Sequence, residues 1–263
     1  MKTITLHKAG LLLLLTATLL LSPACQKEEV DGFQGVVTLE LREEFVGGIR
    51  HQQLYALTRD EYPCANFFID YDYTHIAGHR RILFKGLELP GACITAFAPA
   101  KALIDLRSMD PGSHEVDLEI NEDLLMTRFQ MQDELLEVQV IDGHSDHLSL
   151  LESTMHRLGP DHHWGYIQDL SVGSENAYEA FFADLWGSGA VELFPEEGNY
   201  GFFRVCQESF ALFVHQGHFY PQKPFVFSFD GDFDVLADIA KVFREQYVIV
   251  LFNGEGKSYH NQH

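Results

Sequence analysis

Hydrophobic and polar residues alternate strictly over several stretches between residues 33 and 141. The clearest are residues 37–42 and 115–120, where every second side chain is valine, leucine or isoleucine. Alternation with this period predicts β-strands that have one buried face and one face in water. Similar runs at 53–58, 66–73, 81–84, 102–106, 124–129 and 135–141 bring the predicted strands to about eight. Short strands separated by glycine and proline turns favour an all-β sandwich over residues 33–142.

The C-terminal part of the chain mixes this pattern with apolar residues at helical spacing. Ser174 and Asp232 are suited to cap the N-termini of two helices. The predicted buried stripes consist of Tyr178, Phe181, Phe182 and Leu185, and of Leu236, Ile239, Ala240 and Phe243. Strands predicted at 164–172, 200–206, 210–215, 225–229 and 248–252 give the order β-α-β-β-β-α-β. One sheet carrying both helices would form an α+β domain over residues 143–263, related to ferredoxin-like topologies.

A polar turn at residues 143–147 separates the two patterns, so we place the domain boundary after Asp142. Upstream, residues 99–120 combine a loop, an apolar strand, a Pro-Gly turn and an alternating strand. Together with the two strands that follow, this order resembles the second half of immunoglobulin-like modules common in Bacteroidota surface lipoproteins. The resemblance implies an immunoglobulin-like β-sandwich and carries no information about activity.

The N-terminus has a basic flank, a leucine-rich run and the residues Ser-Pro-Ala-Cys at 22–25, which is typical of a secretory signal. The cleavage region resembles a bacterial lipobox. This resemblance implies that residues 1–24 are removed, that Cys25 is lipidated, and that residues 25–32 form a tether. Residues 26–29, Gln-Lys-Glu-Glu, resemble the tag that exports Bacteroidota lipoproteins to the outer leaflet. We therefore expect a lipid-anchored outer-membrane protein exposed at the cell surface.

The charge of the chain restricts its partners. It contains 18 lysines and arginines against 39 acidic residues, a formal net charge of −21. This balance argues against a nucleic-acid partner, because phosphates require basic side chains. The partners expected instead are the membrane, through the lipid anchor, and a protein or glycan at the cell surface.

Three cysteines remain after Cys25, namely Cys64, Cys93 and Cys206. Outside the cytoplasm, Cys64 and Cys93 are the favoured disulfide pair because both lie in the N-terminal half. The alternative is that all three are small buried thiols.

The polar turn also carries candidate metal ligands. Residues 140–147 run from a strand into a turn rich in histidine and aspartate, and they resemble the zinc motif of metallo-β-lactamase-fold hydrolases. In that resemblance His144, Asp146 and His147 match the motif, whereas Asp142 stands where the first histidine belongs. A zinc-dependent hydrolase is therefore the alternative function, with zinc as its cofactor. Solvated loop histidines are the simpler interpretation, and that interpretation requires no cofactor.

One of the two tryptophans is a candidate for contact with a ligand. Trp164 begins a predicted strand after a polar loop and is a candidate ligand contact, while Trp186 ends a helix and is expected in the core. The chain shows no Gly-x-Ser-x-Gly, Gly-x-Gly-x-x-Gly or Walker A motif. We therefore expect a non-catalytic surface lipoprotein with a binding or assembly role, and capture of a glycan or polypeptide is a further alternative.

Overall fold

The computed structural model describes residues 33, 35–89, 91–169, 178–206, 209–212 and 222–261. Strands dominate these residues, and two helices lie among them in the C-terminal half. The prediction of a largely β fold is therefore confirmed. The predicted signal peptide, Cys25, the tether and the Ser174 cap lie outside the described residues.

The largest sheet is built from the N-terminal part of the chain. Its strands are β1 (Val37–Val46), β2 (Ile49–Cys64), β3 (Phe68–Ile76), β4 (His79–Glu88), β5 (Thr95–Arg107), β6 (Gly112–Ile120), β7 (Asp123–Met131), β8 (Leu135–Asp142), β9 (Leu148–Leu150) and β10 (Thr154–His156). Their spatial order is β10-β8-β7-β6-β4-β3-β5-β2-β1-β9. Most neighbours are antiparallel, and the parallel pairs are β1 with β9, β3 with β5 and β4 with β6.

The alternating residues of these strands enclose one core. In β6, Val116, Leu118 and Ile120 are fully buried, and the intervening acidic residues are more exposed. The same sheet supplies buried residues from both of its ends, since Leu148 of β9 and Met155 of β10 belong to this core. Strands β1 and β10 are in contact, so the sheet curls until its two ends approach each other.

The first sheet extends past the predicted domain boundary at Asp142. Strand β9 pairs with β1, and β10 pairs with β8. Gly143 has a φ of +87°, and a Cβ there would collide with the carbonyl oxygen of Leu124. This tight turn returns the chain to the sheet, so the sheet ends at His156 rather than near Asp142.

The second sheet contains β11 (His162–Asp169), β12 (Val191–Glu192), β16 (Gln222–Ser228), β17 (Tyr247–Asn253) and β18 (Ser258–His260). Its order is β12-β16-β11-β17-β18, and every neighbouring pair is antiparallel. Helices α1 (Glu179–Gly187) and α2 (Phe233–Val242) share a core with one face of this sheet. The opposite face, which includes Trp164 and Val226, packs on Phe202 and Phe203.

The two described helices follow the predicted periodicity. In α2, Asp232 is the N-cap, and its side chain accepts a hydrogen bond from the backbone N–H of Asp234. Leu236 and Ala240 are fully buried, as are Phe181 and Leu185 of α1. The predicted buried stripes therefore face the core.

The predicted single C-terminal sheet differs from the structure. Strands β13 (Gly198–Asn199), β14 (Phe203–Cys206) and β15 (Ser209–Leu212) form a separate small sheet. The Asn199 side chain donates to the carbonyl oxygen of Leu41 at 2.7 Å, and Arg204 pairs with Glu40 at 2.9 Å. These contacts hold the small sheet against β1 instead of adding its strands to the second sheet.

Candidate functional site

A buried carboxylate joins the first sheet to the C-terminal half. The side chain of Glu43 on β1 is fully buried. It accepts hydrogen bonds from Arg157 Nε at 2.9 Å and from Gln52 Nε2 at 3.2 Å, and it pairs with Arg50 Nη1 at 3.3 Å. A buried carboxylate requires such partners, because desolvation of an unpaired charge is costly. The charges of Arg50 and Arg157 are therefore paired with the Glu43 carboxylate.

Arg50 extends this junction across the molecule. Its Nη2 donates to the carbonyl oxygens of Leu158 at 2.8 Å and Gly254 at 2.7 Å. Burial lowers the pKa of Arg50, although the nearby Glu43 carboxylate acts in the opposite direction. The guanidinium thus ties β2 to the start of the second sheet and to the turn that follows β17.

A broad cleft of about 1140 Å³ lies beside this junction. Its lining includes Arg50, Glu134, His156, Asp161, Phe194 and Tyr200. The Phe194 side chain is 84 % exposed, whereas the rings of His156 and Tyr200 stack at 4.9 Å between centroids. A concave surface that combines an exposed ring with charged groups is a candidate ligand site.

A smaller groove of about 410 Å³ lies along α1, and we call it the α1 groove. Its lining includes Tyr178, Glu179, Phe182, Trp186, Glu192 and Lys223. The rings of Phe182 and Trp186 stack with centroids 5.7 Å apart, and Lys223 Nζ lies 4.7 Å from the Phe182 centroid. Aromatic faces beside carboxylates can hold a ligand by stacking, by cation–π contact and by hydrogen bonds.

Strand β12 separates the two concave surfaces. Glu192 lines the α1 groove, whereas Leu193 and Phe194, which follow it directly, line the cleft. The step from Glu192 to Leu193 follows the alternation of side chains across a sheet, whereas Phe194 lies beyond the strand. The same alternation appears on the neighbouring strand β16, where Phe225 lines the α1 groove and Val226 lines the cleft.

The structure does not bring the predicted zinc ligands together. His144 Nε2 lies 3.0 Å from Asp146 Oδ1, both side chains are strongly exposed, and His147 Nδ1 lies 3.2 Å from the carbonyl oxygen of Gly35. The Ser145 hydroxyl accepts from the His147 backbone N–H, which fixes this turn. No group of three or more histidine, cysteine or acidic side chains suited to a metal occurs in the described part of the chain.

Trp164 occupies the core, and its burial contradicts the predicted ligand contact. Only 1 % of the side chain is exposed, and its ring lies 4.6 Å from that of Phe202 between centroids. The reason is the position of β11, which has strands on both sides and packed layers on both faces.

Trp186, expected in the core, is partly buried against it and contacts Phe227 edge-on, and it also lines the α1 groove. Tyr178 and Phe182 stand eight and four residues before it, and this spacing places the three rings on one side of the helix. The spacing of four residues between these aromatic side chains is the feature of the sequence that indicates the α1 groove.

Cys64 and Cys93 form a disulfide, which is the pair favoured from the sequence. Cys206 lies exposed at the end of β14. The predicted lipidation site, Cys25, lies outside the described residues. Neither helix in the described ranges has the length and apolar character needed to cross a membrane.

No family model, curated protein or solved structure matches this chain. A functional inference therefore rests on the chain's own residues. The two concave surfaces beside β12 supply the geometry for that inference.

Proposed function

We propose that the chain is a non-catalytic, lipid-anchored surface protein of the outer membrane whose folded part binds a ligand. The lipobox-like residues at 22–25 and the following Gln-Lys-Glu-Glu support the location. The α1 groove carries the proposal of binding, because it combines the partly buried rings of Phe182 and Trp186 with charged groups at its edge. Polypeptide and glycan are both ligand classes that aromatic faces and carboxylates can bind.

The finer fold assignment is part of this proposal. We propose that the first sheet corresponds to an immunoglobulin-like sandwich and that the second sheet with its two helices is related to ferredoxin-like folds. The antiparallel run β6-β7-β8 supports the former. The packing of both helices on one face of the second sheet supports the latter.

Tryptophan fluorescence tests the binding function, because Trp164 is buried and Trp186 lines the α1 groove. The full-length protein in detergent would be titrated separately with a soluble oligosaccharide and with a short lysine- and valine-containing peptide. We expect a saturable change with one of these probes, and we expect Trp186→Ala to abolish binding measured by calorimetry.

A matched variant, Trp186→Phe, retains an aromatic face and should retain calorimetric binding while losing the Trp186 signal. If neither probe gives a saturable response, or if Trp186→Ala binds like the wild type, the proposed binding site is wrong.

A further inference from the structure

Strand β12 forms the outer edge of the second sheet among the described strands. It pairs with β16, Val191 opposite Ser228 and Glu192 opposite Phe227, and it stands first in the strand order. The Val191 side chain is 60 % exposed. An edge strand presents unpaired backbone groups on its outer side, and these groups can pair with another chain.

The hydrogen bonds of β12 indicate which backbone groups face outward. The backbone N–H of Leu193 donates to the carbonyl oxygen of Val226 at 3.0 Å. In an antiparallel ladder, hydrogen-bonded and non-hydrogen-bonded pairs alternate along the strand. Since Leu193 bonds to β16, the N–H and C=O of Glu192 point away from β16, to the side where no other described strand pairs with β12.

This edge has a concave surface on each face of the sheet. The α1 groove lies on the helix side, and the cleft beside Phe194 lies on the other side. A strand added beside β12 would send successive side chains to opposite faces. Its side chains would therefore enter the α1 groove and the cleft alternately.

The charged side chains that line the two concave surfaces favour a basic ligand. In the cleft, Arg50 and Arg157 are committed to Glu43, whereas Asp133 and Glu134 of the lining are exposed. In the α1 groove, two carboxylates, Glu179 and Glu192, accompany one ammonium group, that of Lys223. Aromatic faces with adjacent carboxylates suit a lysine or arginine side chain.

We propose that β12 binds an extended, basic segment of a partner polypeptide as an added strand, with alternate side chains in the α1 groove and the cleft. This inference rests on the proposed binding function and names its ligand. Affinity would come from backbone hydrogen bonds to Glu192, and selectivity from the two concave surfaces. Pairing with a second copy would place Glu192 against the acidic edge of a chain whose net charge is −21, which opposes self-association.

The test uses a fluorescently labelled peptide of alternating lysine and valine and the full-length protein in detergent. Glu192→Pro removes the outward N–H without removing a hydrogen bond to β16, while Glu192→Gln retains that N–H and removes only the charge. By fluorescence anisotropy, we expect Glu192→Pro to weaken binding about tenfold or more and Glu192→Gln to weaken it by about threefold. A peptide of the same sequence with N-methyl groups along its backbone should not bind.

Equal affinities for Glu192→Pro and Glu192→Gln, or equal binding of the N-methylated peptide, would overturn strand addition. A dimer in sedimentation analysis that is lost in Glu192→Pro would identify a second copy as the occupant and would also overturn the inference. Saturable binding of the oligosaccharide alone would leave the proposed binding function intact while removing the polypeptide ligand.

Discussion

Glu43 shows how much of the molecule depends on one buried carboxylate. Replacing it by leucine removes the partner of Arg50 and Arg157. Breaking a buried ion pair by removing one member costs about 3 kcal/mol or more, because the remaining charges stay desolvated. We expect Glu43→Leu to lower the free energy of unfolding by about this amount in urea denaturation.

Glu44 provides the control for this prediction. It lies next to Glu43 but is exposed, and it accepts a hydrogen bond from Gln53. Glu44→Leu should cost less than about 1 kcal/mol, since exposed polar contacts contribute little. Equal losses for the two variants would show that burial of Glu43 is not the cause.

His163 makes stability depend on pH. The side chain is 2 % exposed and stacks on Phe227 at 5.2 Å between centroids. Its Nε2 lies 3.3 Å from the carbonyl oxygen of Phe229, so this nitrogen carries the proton, and Nδ1 has no hydrogen-bond partner in the described residues. Burial is the main cause that lowers the pKa of His163.

A lowered pKa means that the unfolded state binds a proton more readily than the folded state. The folded state therefore keeps its full stability above the ordinary histidine pKa of about 6.5. It loses stability as the pH falls below that value, because the unfolded state takes up the proton first. We expect His163→Phe to show a smaller loss of stability between pH 7.5 and pH 5 than the wild type in urea denaturation. The control is His144, whose side chain is exposed. We expect His144→Gln to lose as much stability as the wild type between pH 7.5 and pH 5. If His163→Phe loses as much stability between pH 7.5 and pH 5 as the wild type, the prediction is wrong.

At the scale of elements, Asp232 sets the start of α2. Its side chain accepts from the Asp234 backbone N–H at 3.2 Å. We expect Asp232→Ala to lower the free energy of unfolding by about 1 kcal/mol, because it leaves a helix N–H without a partner. Asp232→Asn keeps a capping oxygen and should be nearly neutral. A loss of the same size in both variants would assign the effect to the charge, including the pairing of Asp232 with Lys257, rather than to the cap.

The helices and the long strands could be predicted because their own sequences contain the information. Alternation between residues 115 and 120 matches β6, and helical spacing matches α2. Strands β9 and β10 could not be predicted, since each has only three residues and depends on pairing with β1 and β8. The predicted boundary at Asp142 followed from treating the polar turn as a linker, although Gly143 instead returns the chain to the sheet.

At the scale of the whole molecule, the candidate site depends on residues that are distant in sequence. The α1 groove joins Phe182 and Trp186 to Glu192 and Lys223, and the cleft joins Arg50 to Phe194. Periodicity predicts which side chains of one element share its buried face, but it does not predict which helix end lies beside which sheet edge. Trp164 was therefore mistaken for the exposed ring, and the part of Trp186 that lines the α1 groove was not foreseen.

The proposed lipid anchor at Cys25 predicts where the protein lies in the cell. Two or three acyl chains on Cys25 would hold the protein on a membrane, since each buried methylene contributes about 0.8 kcal/mol. We expect Cys25→Ala to move the protein to the soluble fraction, whereas Cys206→Ala should leave it with the membranes. Continued membrane association of Cys25→Ala would contradict the lipid anchor.

The residues after Cys25 should decide which side of the outer membrane displays the binding edge. Replacement of Lys27, Glu28 and Glu29 by alanine keeps Cys25, and with it the proposed anchor, but it removes the proposed export tag. We expect this triple variant to resist protease added to intact cells and to become sensitive once the outer membrane is permeabilised. The wild type should be cleaved under both conditions. If the variant is cleaved on intact cells as fast as the wild type, these residues do not direct export.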